Sequence, residues 1–304
     1  MDPNTAIYLG TVAAISLILK CTILLNIRID SRTSQAFVVV CLFFVAQNAG
    51  EFLAYLIYLK SEAVGKLFAH IYIVAAYFMI SSVLIFTLAL TESRYYKLAQ
   101  VVLYSCSVVL SIGYMNGMLV DGLIFLGWTV IANPGQFYGF GTGYMLSCCA
   151  AIVGCLWYHG VYNTDLEIRH NAKAAMVAFL PILLVAVAVY GLRLLGFNSS
   201  SAVSLPIATL LFLYVLLLHT NGTLFWFSAK LRSILAILKI KHDVPMDAII
   251  EELERVRIHQ AMKISHGRQK QAAELLGMSA STLSKRLSKY AINADFYRQN
   301  SRPY

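Results

Sequence analysis

Charge is the scarcest ingredient of this 304-residue chain: only 13% of its residues are Asp, Glu, Lys or Arg, while 59% are hydrophobic. An ordinary soluble domain carries about a quarter charged residues, so a water-soluble fold is excluded for most of the chain. Several chemical motifs are missing as well. Without a GxxxxGK[ST] stretch the chain has no P-loop for ATP, and without HExxH it has no zinc-protease helix. CxxC is absent too. The six cysteines (Cys21, Cys41, Cys106, Cys148, Cys149, Cys155) all fall within apolar runs and lack zinc-finger spacing. They read as small core residues rather than ligands or disulfides. No nucleophile–base pair can be picked out, and no Lys lies between Leu205 and Phe227 to hold an aldehyde cofactor as a Schiff base. The expectation is a protein that is not an enzyme and carries neither metal nor cofactor.

What is present in abundance is apolar sequence. Seven runs approach or exceed the roughly 20 residues that cross a bilayer, at about 6–27, 36–59, 67–90, 98–115, 137–158, 174–195 and 203–227. The first run is too long, and its leader too poor in positive charge, for a cleaved signal peptide. The loops set the orientation. Those after runs 1, 3 and 5 carry Arg28, Arg32, Arg94, Lys97, Arg169 and Lys173, against Lys60, Lys66 and Arg193 on the other side. The positive-inside rule then places the N-terminus outside and the C-terminus in the cytoplasm, in a multi-pass protein of a bacterial inner membrane. The Gly139–Gly143 run opens a membrane segment and follows no strand, so it reads as helix packing. The outer loop Asn116–Gln136 holds a β-branched and aromatic stretch followed by Asn133-Pro134-Gly135. A small hairpin over the outer mouth and an irregular loop anchored by Trp128 both fit it.

The last quarter is different material. From Ser228 onward there are 14 Lys/Arg against 7 Asp/Glu, so most of the net charge of +9 lies there. A basic unit behind an apolar body implies an acidic polymer or an anionic surface as partner. Leu231, Ile234, Leu235 and Leu238 form an apolar stripe ringed by Lys230, Arg232, Lys239 and Lys241. This linker, 228–245, either lies on the inner leaflet or pairs with its copy. A helix from about Met246 to Ile264 follows, expected to bury Ile249, Ile250, Leu253, Ile258, Ala261 and Met262.

Two short helical patterns then flank a Gly-Met-Ser break. In the first, Gln269–Leu276, residues Ala272, Ala273 and Leu276 share a face. Gly277 suits the left-handed position that ends a helix, and Ser279 suits the cap of the next. The second pattern, Ala280–Tyr290, buries Leu283 and Leu287 and turns Ser281, Thr282, Ser284, Lys285, Arg286 and Lys289 outward. Two helices about a short Gly-containing turn, the second basic and hydroxyl-rich, describe a helix-turn-helix.

At this point the chain resembles the Fis-type helix-turn-helix, which also closes the NtrC-type transcriptional activators. The family pattern is E-x-x-x-I-x-x-A-L, a Gly, then A-A-x-x-L-G-I-S-x-x-T-L-x-x-K-L-x-x-x-G-I. Glu254, Ile258, Ala261, Met262, Gly267, Ala272, Ala273, Leu276, Gly277, Met278, Ser279, Thr282, Leu283, Arg286, Leu287 and Ile292 answer it here. Arg268 stands where the family often has Asn, and Ala291 where it usually has Gly. Ala280 and Ser284 replace basic, DNA-facing residues of Fis itself. The resemblance implies binding to double-stranded DNA through Lys270, Ser279, Ala280, Ser281, Thr282, Ser284, Lys285, Arg286 and Lys289.

Runs 2 and 3 with their flanks, Phe37 to Glu92, loosely resemble the seven-helix sensor region at the N-terminus of some bacterial histidine kinases, by hydropathy rhythm and a Glu in the second helix. Asn48 and Glu51 lie on one face of that helix, together with Gln47 and followed by Tyr55. An ionised Glu at this depth costs about 2.5–3.5 kcal/mol on insertion scales, so it faces protein, water or ligand. Glu51 therefore reads either as a buried structural hydrogen-bonder or as part of a site for a small amphipathic ligand. The site would be formed by Asn48, Glu51, Tyr55 and Tyr77. Lys20 is a conceivable partner for Glu51, unless it snorkels to the inner boundary.

The expected fold is all-α: a seven-helix membrane bundle (1–227), the linker (228–245), a Fis-like helix-turn-helix domain (246–294) and a polar tail (295–304). The expected function is a membrane-bound one-component transcriptional regulator that binds operator DNA as a homodimer. A transporter or channel with a regulatory cytoplasmic domain is the alternative, although no broken helices or internal repeats favour it.

Overall fold

Long apolar runs satisfy their backbone hydrogen bonds internally by forming helices. The computed structural model describes residues 3–25, 27, 29, 31–58, 60–125, 130–195, 204–219, 245–265, 267–294 and 297. In order they form α1 (Pro3–Leu25), α2 (Arg32–Tyr58), α3 (Glu62–Leu90) and α4 (Tyr96–Met115). Strands β1 (Val120–Phe125) and β2 (Val130–Pro134) follow, then α5 (Tyr138–Tyr162), α6 (Leu166–Leu194) and α7 (Ser204–His219). The C-terminal part is α8 (Met246–Ile264), α9 (Gln269–Leu276) and α10 (Ala280–Lys289).

Five of these helices, α2 to α6, are long and apolar enough to cross a membrane among the described residues. The other two expected spans are shorter there: α1 is apolar over Gly10–Leu25 and α7 over Ser204–Leu216. Among the described residues, five helices meet both the length and the hydropathy of a span. The expected linker up to Val244, together with Trp128, lies outside the described residues, as does all of the tail except Tyr297.

α3 is the most enclosed helix and packs against α2, α4, α5 and α6. Its tightest neighbour is α2, because glycine lets the two backbones meet. A Cβ on Gly50 would stand 2.9 Å from the Tyr72 nitrogen, and one on Gly65 2.6 Å from the Tyr58 Cα. Aromatic pairs continue the seam, with Phe43 stacked on Phe78 at 5.3 Å and the ring of Phe37 tilted against Phe86 at 5.3 Å. Hydroxyls tie α3 to α4 and α5. Ser81 Oγ lies 2.7 Å from Ser107 Oγ and 2.6 Å from the Tyr144 hydroxyl. Between apolar helices such bonds add association that burial alone cannot supply, since lipid is as apolar as the helix face.

The loop Asn116–Gln136 contains a β-hairpin. β1 and β2 pair antiparallel with Leu123 opposite Ala132, and a bulge falls between Val120 and Gly122. Its apolar face covers the helix ends: Phe125 stacks on Tyr58 at 3.6 Å, and Val130 packs with Ala54 and Ala69. Asn133-Pro134-Gly135 ends β2 rather than turning the hairpin. A Cβ on Gly135 would stand 2.8 Å from the Met118 carbonyl.

α8, α9 and α10 share a second core, made of Ile258, Ala261, Met262, Ala272, Leu283 and Leu287 with neighbours. The expectation for α8 needs correcting. Only its C-terminal half reaches this core; Ile250 is 54% exposed, and Ile249 and Leu253 are half-buried. Two helices as short as α9 and α10 cannot cover a helix of 19 residues.

Candidate nucleic-acid interface

The turn between α9 and α10 is built by three residues. Gly277 ends α9 with φ +67°, which lets Met278 N–H donate to the Ala273 carbonyl at 3.0 Å. Ser279 Oγ then accepts from Thr282 N–H at 3.1 Å and caps α10. The capping hydroxyl also lies 2.7 Å from Thr282 Oγ1 and 2.9 Å from Ser281 Oγ. Leu283 and Leu287 pin the opposite face of α10 into the core. The helix is therefore set by its cap at one end and by its leucines along one side. Ala291, where the family usually has Gly, takes φ +52°, the same left-handed conformation that Gly267 and Gly277 adopt.

This fixes where each expected contact residue stands. Ala280, Ser281, Ser284 and Lys285 are exposed along one face of α10, and Lys270 is exposed on α9. Thr282 is half-buried beneath the cap. Arg286 is turned towards α8, where it pairs with the Glu254 carboxylate, and is only half-exposed. Lys289 is exposed but bonded to Glu251 Oε1 at 2.6 Å. That hydrogen bond raises the Lys289 pKa. Sequence reasoning placed Arg286 on the outward face with Lys285; the acidic residues of α8 that draw it inward are visible only once α8 and α10 are packed together. Tyr290, which spacing did not single out, donates its hydroxyl to Glu254 Oε2 at 2.6 Å. His259 on α8 contacts the Tyr297 hydroxyl. Partial burial, and next the Arg255 guanidinium, hold its imidazole below the usual histidine range.

The exposed face of α10 offers hydroxyls, which donate and accept, beside the Lys285 ammonium, which has no ion-pair partner among the described residues. Those are the groups that read base edges and phosphates in a groove. The arrangement defines a helix-turn-helix of the DNA-binding kind. Residues 249–290 match the family model described as bacterial regulatory protein, Fis family. No curated protein and no solved structure matches the chain.

A second set of polar residues lies within the helix bundle. Ser16, Lys20, Gln47, Asn48 and Glu51 are all buried. Asn48 Nδ2 donates to the Ala13 carbonyl at 3.1 Å, joining α2 to α1, and Ser16 Oγ donates to the Pro206 carbonyl at 3.2 Å, joining α1 to α7. Lys20 is 1% exposed, so it does not snorkel; Glu51 and Cys41 lie within its electrostatic reach. Tyr77 does not join this set. It is buried with Tyr114, Leu119 and Val120 beneath the hairpin, on the side of α3 that faces α4 and α5. The side chain of Tyr55 lies outside the described residues. Of the four residues expected to line one pocket, Asn48 and Glu51 fall in this buried set, together with Lys20, the expected candidate partner of Glu51, and with Ser16.

Proposed function

We propose that the protein is a membrane-bound one-component transcriptional regulator, in which the helix bundle receives a signal and the Fis-type domain binds promoter DNA. The observation that carries the reading is one chain holding both an exposed hydroxyl-and-lysine face on a capped helix-turn-helix and five apolar helices of spanning length. The loop cations Arg32, Arg94, Lys97, Arg169 and Lys173 favour an N-terminus outside and a C-terminal domain in the cytoplasm of the inner membrane.

DNA contacts fall to Lys270, Ser281, Ser284 and Lys285, with Ser279 and Thr282 shaping the end of α10. A single recognition helix reads few base pairs, which favours a homodimer on paired half-sites. Ile250, exposed on α8 among the described residues beside half-buried Ile249 and Leu253, supports that stoichiometry. The signal is a small amphipathic molecule that engages the buried polar set around Asn48, Glu51 and Lys20. Genome-wide DNA crosslinking of the full-length protein in its host tests the reading: enrichment at discrete promoters supports it, and a uniform background rejects it. Buried charges in a membrane also mark transport paths, and solute uptake by vesicles containing the protein would favour the transporter reading instead.

A further inference from the structure

We infer that Glu254 is a positioning residue of the DNA-binding unit and that Arg286, although basic and on the recognition helix, is a strut to α8 and not a phosphate ligand. The inference rests on the DNA-binding reading above and sharpens it. One carboxylate receives two groups from α10 and its end: the Arg286 guanidinium on one oxygen and the Tyr290 hydroxyl, 2.6 Å away, on the other. The two donors are four residues apart and so lie one above the other on a single helical face. That face is turned away from Ser281, Ser284 and Lys285. The Glu254 side chain is 21% exposed and that of Arg286 41%. A charge-assisted pair of this kind, with its carboxylate largely covered and sharing a second hydrogen bond, is stronger than a fully exposed pair.

Glu251, nearly one turn earlier on α8, makes the contrasting case. Its pair with Lys289 has both side chains more than half exposed. Such pairs contribute little, so a phosphate can take Lys289 from Glu251 at small cost. Arg286 has no such freedom while Glu254 is ionised. The doubly held Glu254 fixes the rotation of α10 about its own axis, and with it the choice of side chains presented to a groove. The withheld cation also lowers the sequence-independent attraction to DNA, which comes from phosphate neutralisation. Discrimination is thereby left to the hydroxyls.

The test uses the full-length protein in nanodiscs of neutral lipid and measures affinity for a mixed-sequence duplex across a salt series. Each phosphate contact contributes about 0.9 to the slope of log K against log salt. Lys285→Ala is expected to flatten the slope by that amount, and Arg286→Met to leave it unchanged. Glu254→Gln keeps an acceptor for Tyr290 but releases Arg286, and is expected to steepen the slope by about 0.9. If Arg286→Met flattens the slope as Lys285→Ala does, Arg286 is on phosphate and the inference is overturned. Should Arg286→Met fail to fold, Glu254→Gln decides alone: an unchanged slope overturns the inference. Wild-type protein that shows no salt-dependent binding defeats the DNA-binding reading itself, which is a separate outcome.

Discussion

The Lys20 ammonium lies 6.0 Å from the centroid of the Phe44 ring, inside the helix bundle and out of reach of solvent. A cation in such a place needs more than an aromatic face, and Glu51 is the carboxylate within its electrostatic range. Where two buried charges compensate each other, removing one strands the other, typically at about 3–5 kcal/mol. Lys20→Met and Glu51→Gln should therefore each lower the resistance of the purified protein to thermal unfolding in detergent, by about 3 kcal/mol. The double variant should recover most of the loss. Additive losses in the double variant would show that the two charges do not compensate each other.

The C-terminal domain carries a strain that a single substitution relieves. Ala291 sits at φ +52°, a conformation that costs a residue with a Cβ roughly 1–2 kcal/mol. Ala291→Gly should raise the stability of the α8–α10 unit by about 1 kcal/mol. Gly277→Ala, at φ +67°, should lower it by a similar amount. Circular dichroism melts that follow helix loss check both. If Ala291→Gly proves neutral or destabilising, the left-handed conformation at that position is not adopted in solution.

These residues also show what the sequence made legible. Gly277 and Ser279 announced the turn because their chemistry is local: one suits a positive φ and the other offers a capping oxygen. The alternation of Leu283 and Leu287 with polar neighbours gave the buried face of α10, and the length of the apolar runs gave the helices of the bundle. What depended on contacts between distant elements was not visible. The capture of Arg286 by Glu254 across 32 positions, the burial of Lys20 and the turning of Tyr77 towards α4 and α5 are settled by packing angles that periodicity does not encode. α8 misled for a related reason. Its apolar stripe is continuous, but the core beneath it ends halfway along.

His259 introduces a pH dependence. Burial and Arg255 hold its pKa below the ordinary 6.5, so the unfolded chain binds the proton more readily than the folded one. Stability tied to His259 is complete above the unfolded pKa and declines as pH falls through it. The C-terminal unit should melt at progressively lower temperature between about pH 7 and pH 5, and His259→Asn should flatten that decline. A decline of equal size in the variant would assign it to other groups.

Orientation is open to direct measurement. A reporter active only in the cytoplasm should function when fused behind the chain's last residue. One active only outside should function when inserted between β1 and β2. The opposite pattern would hold α10 on the far side of the membrane from DNA and defeat the regulatory reading.

The polar set around Glu51 makes the sharpest prediction about signalling. α1 is bound to α2 through Asn48 and the Ala13 carbonyl, and to α7 through Ser16 and the Pro206 carbonyl. Among the described residues, α7 is the last apolar helix before the DNA-binding domain. A ligand that draws on Asn48, Glu51 or Lys20 must compete with bonds that hold α1 in place, so binding and the position of α1 against α7 are linked. A ligand shifts such an equilibrium only by the difference in its affinity for the two arrangements. Replacing both charges together, as Lys20→Met with Glu51→Gln, keeps the bundle balanced while removing the groups a polar signal would distinguish. The double variant should accumulate in the membrane at wild-type levels and retain crosslinking to its promoters. Its target-gene output should no longer respond across a signal concentration series that drives the wild-type protein through its full range. An abundant double variant with an unaltered dose-response would place the signal site elsewhere in the bundle, and the hydroxyl network of Ser81, Ser107 and Tyr144 would be the next polar group to examine.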